Sequence, residues 1–186
     1  MDIVHQKSKK EKVVTFVGRI TRQKGPEYFV EAAAMFLHRT KNIRFVMAGN
    51  GDMMNQMISL VAERGIAERF HFPGFMKGKQ VYEVLKASDV YIMPSVSEPF
   101  VISPLEAMQV SVPTIISKQS GCAEILDNCI KTDYWDIHAM ADAIYSICTY
   151  PAMYDYLKTE GKKEVDAIKW ENVGYKVRSI YDNILQ

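Results

Sequence analysis

The sequence predicts an α/β protein built on an open, doubly wound parallel sheet, and three observations carry that expectation. Short β-rich runs alternate with segments of helical period along the first two thirds of the chain. The runs are apolar almost throughout, as strands buried on both faces must be. Most of them stop at a glycine or proline that turns the chain into a helix, the crossover a parallel sheet requires.

Val13-Val14-Thr15-Phe16-Val17 is the first strand, closed by Gly18. Gly25-Pro26 then opens a helix with Phe29, Ala33, Phe36 and Leu37 on one face. The second strand, Ile43–Ala48, stops at Gly49-Asn50-Gly51, and the helix after it carries Met54, Met57, Ile58 and Val61. Residues 70–72 form a shorter strand before Pro73-Gly74, Val81 and Leu85 mark a small helix, and residues 89–93 form a fourth strand ended by Pro94. A helix beginning at Ser103 leads to a fifth strand, Pro113-Thr114-Ile115-Ile116-Ser117. No strand is predicted between that one and Asp136, which caps a helix bearing Ile137, Met140, Ala141, Ile144, Ile147 and Cys148. Pro151 starts another helix that runs past Leu157. The last helix sets Trp170, Val173, Val177, Ile180, Tyr181 and Ile184 at helical spacing, and these C-terminal helices are expected to pack across the sheet.

Composition narrows the function classes. With 186 residues, 48% of them hydrophobic and 24% charged, the chain suggests a single domain over residues 12–186 behind a charged lead-in, 1–11. The 23 basic and 22 acidic residues leave a net charge of +1. No global field therefore favours nucleic acid or an anionic membrane, and any anion site must be local. Cys122, Cys129 and Cys148 are an odd number without Cys-x-x-Cys spacing, which reads as reduced thiols in the cytoplasm. No apolar run approaches the roughly 18 residues of a spanning helix. Lys158, Lys162 and Lys163 form a basic face on a late helix, usually just solvated, through which peripheral contact with the inner membrane surface is an alternative.

Chemistry concentrates in two segments. Glu98 and Glu106 flank the end of the fourth strand and the start of its helix, where parallel sheets bind ligands. Ser103-x-x-Glu106 also reads as a capping box, which would occupy Glu106 with its own helix. Glu98 has no such local role; its bland reading is solvent exposure, and its functional one is holding sugar or ribose hydroxyls. The loop from Gly18 to Gly25 carries Arg19, Arg22 and Lys24 into a helix N-terminus, either as a solvated basic loop or as a diphosphate site. Gly49-Asn50-Gly51 lacks the third glycine of a dinucleotide fingerprint and is more often a helix-starting turn. His5, His38, His71 and His138 show no metal-ligand spacing, so no metal site is expected.

Taken in order, Gly18-Arg19-x4-Lys24-Gly25, Gly49-Asn50-Gly51, Pro73-Gly74-Phe75, Glu98-Pro99-Phe100-x5-Glu106-Ala107-Met108, Pro113 and Gly121-x-x-Glu124 resemble the C-terminal domain of the family 4 retaining glycosyltransferases. The resemblance implies half of a GT-B fold, a Rossmann-like domain that binds a UDP- or GDP-sugar and needs no metal or other cofactor. It implies Arg19 and Lys24 at the donor diphosphate, Glu98 at the transferred sugar, and Glu106 at the ribose. Gly18, Gly49, Gly51 and Phe75 would line the donor site, and the backbone at Phe100, Val101, Ile102 and Ser103 would face the sugar and phosphates. An N-terminal acceptor-binding domain would be the partner, so this chain alone is expected to bind donor but not to transfer. The chain departs from the pattern at Val101, Ser111 and Ser120, where the family usually has glycine, and a side chain at 101 would limit close approach of backbone to sugar. The alternatives are a non-catalytic module on the same scaffold and half of a nucleotide-sugar epimerase, for which no acid and base pair is evident.

Overall fold

The structure, a computed structural model, describes residues 11–184, without the side chains of residues 170, 172, 173 and 176. Most of the charged lead-in, and the Trp170 and Val173 side chains of the expected C-terminal stripe, thus lie outside the described residues. Six strands, β1 (Lys12–Val17), β2 (Ile43–Ala48), β3 (Phe70–Gly74), β4 (Val90–Met93), β5 (Thr114–Ser117) and β6 (Ile130–Thr132), form one parallel sheet in the order β3-β2-β1-β4-β5-β6. The expected doubly wound sheet is therefore present, with one strand more than predicted. β6 was missed because it is three residues long at the sheet edge and carries Lys131 in its middle. It pairs Ile115 with Ile130 and Ser117 with Thr132.

Seven α-helices lie among the described residues: α1 (Pro26–Leu37), α2 (Met54–Glu63), α3 (Lys79–Lys86), α4 (Ser103–Gln109), α5 (Ile137–Thr149), α6 (Pro151–Ala167) and α7 (Trp170–Ile184). α2 and α5 flank α1 on one face of the sheet, while α3 packs on α4, and α4 on α6, on the other. The core on the first face is aromatic: Phe16, Phe29, Phe36 and Phe45 are buried, and Phe29 meets both Phe45 and Phe70 edge-on. Such pairs add about 0.5–1.5 kcal/mol each beyond their burial. The expectation that the late helices pack on the body holds for α5 and α6. Every described side chain of α7 is exposed, so that helix adds little to the core.

Two features of this frame position the site. β1 and β4 are neighbours although three helices and two strands separate them in sequence, so the chain reverses its winding between them. The helices that follow β1 and β4 lie on opposite faces of the sheet, which marks this end of the strands as the ligand-binding end in sheets of this kind. At the other strand pair, the β2–β3 register slips between Val46 and Ala48, with one extra residue on β3. This bulge delivers Phe75 to the same end of the sheet.

Candidate active site

The loop after β1 is tied to the loop after β4 before any side chain acts. A 3-10 turn, Arg22–Lys24, ends at Gly25 with φ 62, and a Cβ on Gly25 would stand 2.2 Å from the Pro94 carbonyl oxygen. Only glycine gives that conformation together with that approach. The Val96 amide donates to the Gln23 carbonyl at 2.9 Å, closing the loops on each other. Lys24 is thereby turned inward instead of lying on a solvated loop. Its Nζ stands 2.7 Å from Glu98 Oε2, with side chains only 9% and 13% exposed. This ion pair is the contact that the buried Oε2 makes, with no further hydrogen bond to that oxygen among the described residues. Both bland readings, a solvated basic loop and a solvent-exposed Glu98, are thus wrong for this pair: burying two charges is tolerable only when they meet.

A cleft of about 710 Å³ lies over the ends of β1, β2 and β3, lined by Gly18, Arg19, Gly49, Gly51, Asp52 and Phe75 among others. Here, too, glycines let backbone meet backbone. A Cβ on Gly49, whose φ is 147, would fall 1.8 Å from the Gly18 carbonyl oxygen, and one on Gly51 would fall 2.2 Å from that of Ile20. The amide of Ile20 donates to Asn50 O at 3.0 Å and that of Gly49 to Gly74 O at 2.9 Å, so the three loops form one rigid floor. Arg19 is exposed on this floor, and Phe75, 65% exposed, stands beside it with Lys77 Nζ 5.3 Å from its ring centre.

The segment after β4 runs as a strap along residues 120–122. Glu98 and Ser120 form a parallel bridge, and Gly121 N donates to Glu98 O at 2.8 Å. Val101 is buried in the core, while Phe100 and Ile102 are exposed. Tyr91, fully buried so that its phenol is pushed far above the usual range, donates to Ser103 Oγ at 2.7 Å. The predicted capping box does not form. α4 begins at Ser103 itself, Ile102 is the N-cap, and no side chain caps the helix. Ser103 is one residue too far along to reach back over the first turn, and its hydroxyl is engaged by Tyr91. Glu106 is exposed and lines a small hollow of about 120 Å³ between α3 and α4, with Gly78, Val81 and Tyr82.

The residues singled out in the sequence thus fall into three groups. Lys24 and Glu98 meet; Gly18, Arg19, Gly49, Gly51 and Phe75 share the cleft; Glu106 stands on the α3–α4 side, and residues 100–103 join strap to helix. Sequence reasoning missed Tyr91, whose place in an apolar strand marks it only as core, and Cys122, which reads only as a reduced thiol in a polar loop. Among the glycine departures, only Ser111, with φ 63, occupies a left-handed conformation, the sole non-glycine with positive φ among the described residues. Lys162 and Lys163 of the basic face pair with Asp166 and Glu160. No helix among the described residues is long and apolar enough to cross a membrane.

Known proteins resemble this chain in sequence and fold. The family model described as glycosyl transferases group 1 matches residues 2–164. An uncharacterised glycosyltransferase of Methanocaldococcus jannaschii is 32% identical over 92% of this chain and 45% of its own length. The alpha-D-kanosaminyltransferase of Streptomyces kanamyceticus is 27% identical over 92% of this chain and 46% of its own. Among solved structures, Anabaena HepE in complex with UDP and glucose superposes with a TM-score of 0.82 at 16% identity, over 94% of this chain and 49% of that one. This chain spans about half the length of the curated relatives it matches. Its single sheet has the Rossmann-like fold of its GT-B glycosyltransferase neighbours over about half of their length, and the chain belongs to the glycosyl transferases group 1 family.

Proposed function

We propose that this chain is the donor-binding, C-terminal half of a retaining, metal-independent family 4 glycosyltransferase that uses a UDP- or GDP-sugar. The single observation that carries the reading is the meeting of the β1 and β4 loops at the switch point, with Lys24 and Glu98 paired inside and Arg19 in the adjoining cleft. In this reading Arg19 and Lys24 hold the donor diphosphate and stabilise it as it departs, doing the work a metal does in other transferases. Glu98 receives hydroxyls of the transferred sugar, with the backbone of residues 100–103 beside it, and Glu106 receives the ribose hydroxyls. Gly18, Gly49, Gly51 and Phe75 shape the nucleotide side. The UDP and glucose held by the Anabaena neighbour, and the aminosugar transferred by the Streptomyces relative, support a nucleotide-sugar donor without selecting one.

Val101 does not stand against this reading. Its side chain is in the core, so the strap's outward backbone keeps the openness that glycine would give. The acceptor and its binding domain belong to the rest of the enzyme, and the chain alone is proposed to bind donor without transferring it. Calorimetric titration with UDP, GDP and ADP tests the reading. One of them should bind, and Arg19→Ala combined with Lys24→Ala should remove that binding. If none binds, the scaffold serves as a non-catalytic module instead.

A further inference from the structure

Cys122 makes an unusual pair of contacts. Its thiol accepts a hydrogen bond from the Val101 amide at 3.4 Å and donates one to the Val101 carbonyl at 2.8 Å. A single side chain thus satisfies both backbone groups of one residue on another segment. The reason lies in how the strap is built. Backbone pairing between residues 98 and 120–121 stops at Pro99, which has no amide to offer, and Gly121 is pressed so close that a Cβ would stand 1.7 Å from the Pro99 carbonyl oxygen. One step further on, Val101 is buried, and its N–H and C=O would be orphaned without the thiol. Burial also raises the Cys122 pKa, so the sulfur keeps the proton it donates.

We propose that Cys122 is a positioning residue for the donor sugar, whose thiol fixes Val101 and with it the strap of residues 98–101 that carries Glu98 and leads into the amides of residues 100–103. The proposal rests on the donor-site reading above. Most of the nucleotide side of the site, Gly18–Arg19 and Gly49–Gly51, is built on other loops, which do not touch Cys122 in any hydrogen bond. Releasing the thiol clamp therefore loosens the sugar end and spares the nucleotide end. A merely structural cysteine would weaken both ends together or neither.

Cys122→Val removes both hydrogen bonds and keeps the side chain apolar, at the cost of a slightly larger one; Cys122→Ser keeps a donor and an acceptor. Affinities of the wild-type chain and both variants are measured calorimetrically for UDP and UDP-glucose, and for GDP and GDP-mannose. For the pair that binds, Cys122→Val should lose about tenfold on the nucleotide-sugar, the weight of one or two hydrogen bonds. It should keep the bare nucleotide within about twofold, and Cys122→Ser should recover most of the loss. Amide exchange across residues 98–103 gives a second readout on unliganded protein: faster in Cys122→Val, near wild type in Cys122→Ser. Should the valine variant fail to fold, Cys122→Ala takes its place in both measurements. Equal losses on nucleotide and nucleotide-sugar, or unchanged exchange in the strap, overturn this proposal alone. If no nucleotide binds the wild-type chain, the donor-site reading falls and the proposal falls with it.

Discussion

At the scale of single residues, the buried pair Lys24–Glu98 is the centre of the site and the place where stability and function meet. An ammonium and a carboxylate taken from water each cost several kcal/mol, which their mutual attraction offsets only while both are present. Lys24→Met or Glu98→Gln alone should therefore destabilise the chain by about 3 kcal/mol, and the double change by clearly less than the sum of the two. Urea unfolding of the four proteins measures this coupling; additive losses would mean the two side chains are independent. Glu27, in the first turn of α1, is a second strained group. Burial raises its carboxyl above the ordinary value near 4.5, against the lowering by its own backbone hydrogen bond and by Arg22, and its Oε2 is buried without a partner. A raised folded pKa means that stability is full below about 4.5 and falls as pH rises through the folded value. Glu27→Gln should accordingly raise the melting temperature at pH 7 and lose that advantage as pH falls below 4.5. A variant less stable than wild type at pH 7 would show that Glu27 is held by a favourable contact.

At the scale of elements, the turn from α4 into β5 makes the clearest demand on sequence. Ser111 sits there with φ 63, a conformation that costs a residue with a Cβ on the order of 1 kcal/mol and glycine nothing. Ser111→Gly should stabilise the folded chain by a few tenths to about 1 kcal/mol, because the relief of strain exceeds the added freedom of the unfolded chain. Thermal unfolding checks the direction, and a lower melting temperature would mean that the serine makes a compensating contact. Elements of this kind explain how far the sequence could be read. Ile43–Ala48 and Val90–Met93 announce themselves because strands covered on both faces are apolar almost throughout. The short edge strand β6 carries no such signal. The glycines at 25, 49 and 51 were visible as turns, but their necessity comes from carbonyls of other loops. The Lys24–Glu98 contact and the hold of Cys122 on Val101 join segments far apart in the chain, and neither spacing nor propensity encodes them. Ser103 and Glu106 fitted a capping box by spacing, yet a helix start one residue earlier than that box needs and the pull of Tyr91 gave the hydroxyl a different partner.

At the scale of the whole molecule, the body and the last helix answer to different rules. The sheet with α1 to α6 encloses one core that reaches as far as Val165 on α6. α7 contributes no described side chain to it; Tyr175, Ile180, Tyr181 and Ile184 are each more than half exposed. Helices draw most of their stability in a protein from burying an apolar stripe, so α7 gains little from this body and gives little back. The connection before it points the same way, since Ile168 is 43% exposed. A chain ended at Ala167 should therefore unfold within about 1 kcal/mol of the full chain, a shift of only a few degrees for a protein of this size. Helical signal at low temperature should drop by no more than the length of α7 accounts for. It should also keep the nucleotide affinity of the full chain, because no residue of the cleft or the strap lies beyond Cys122. Calorimetric melting, circular dichroism and a UDP or GDP titration on the two chains decide the matter. A fall in melting temperature of ten degrees or more would mean that the stripe on α7 is buried against the body after all.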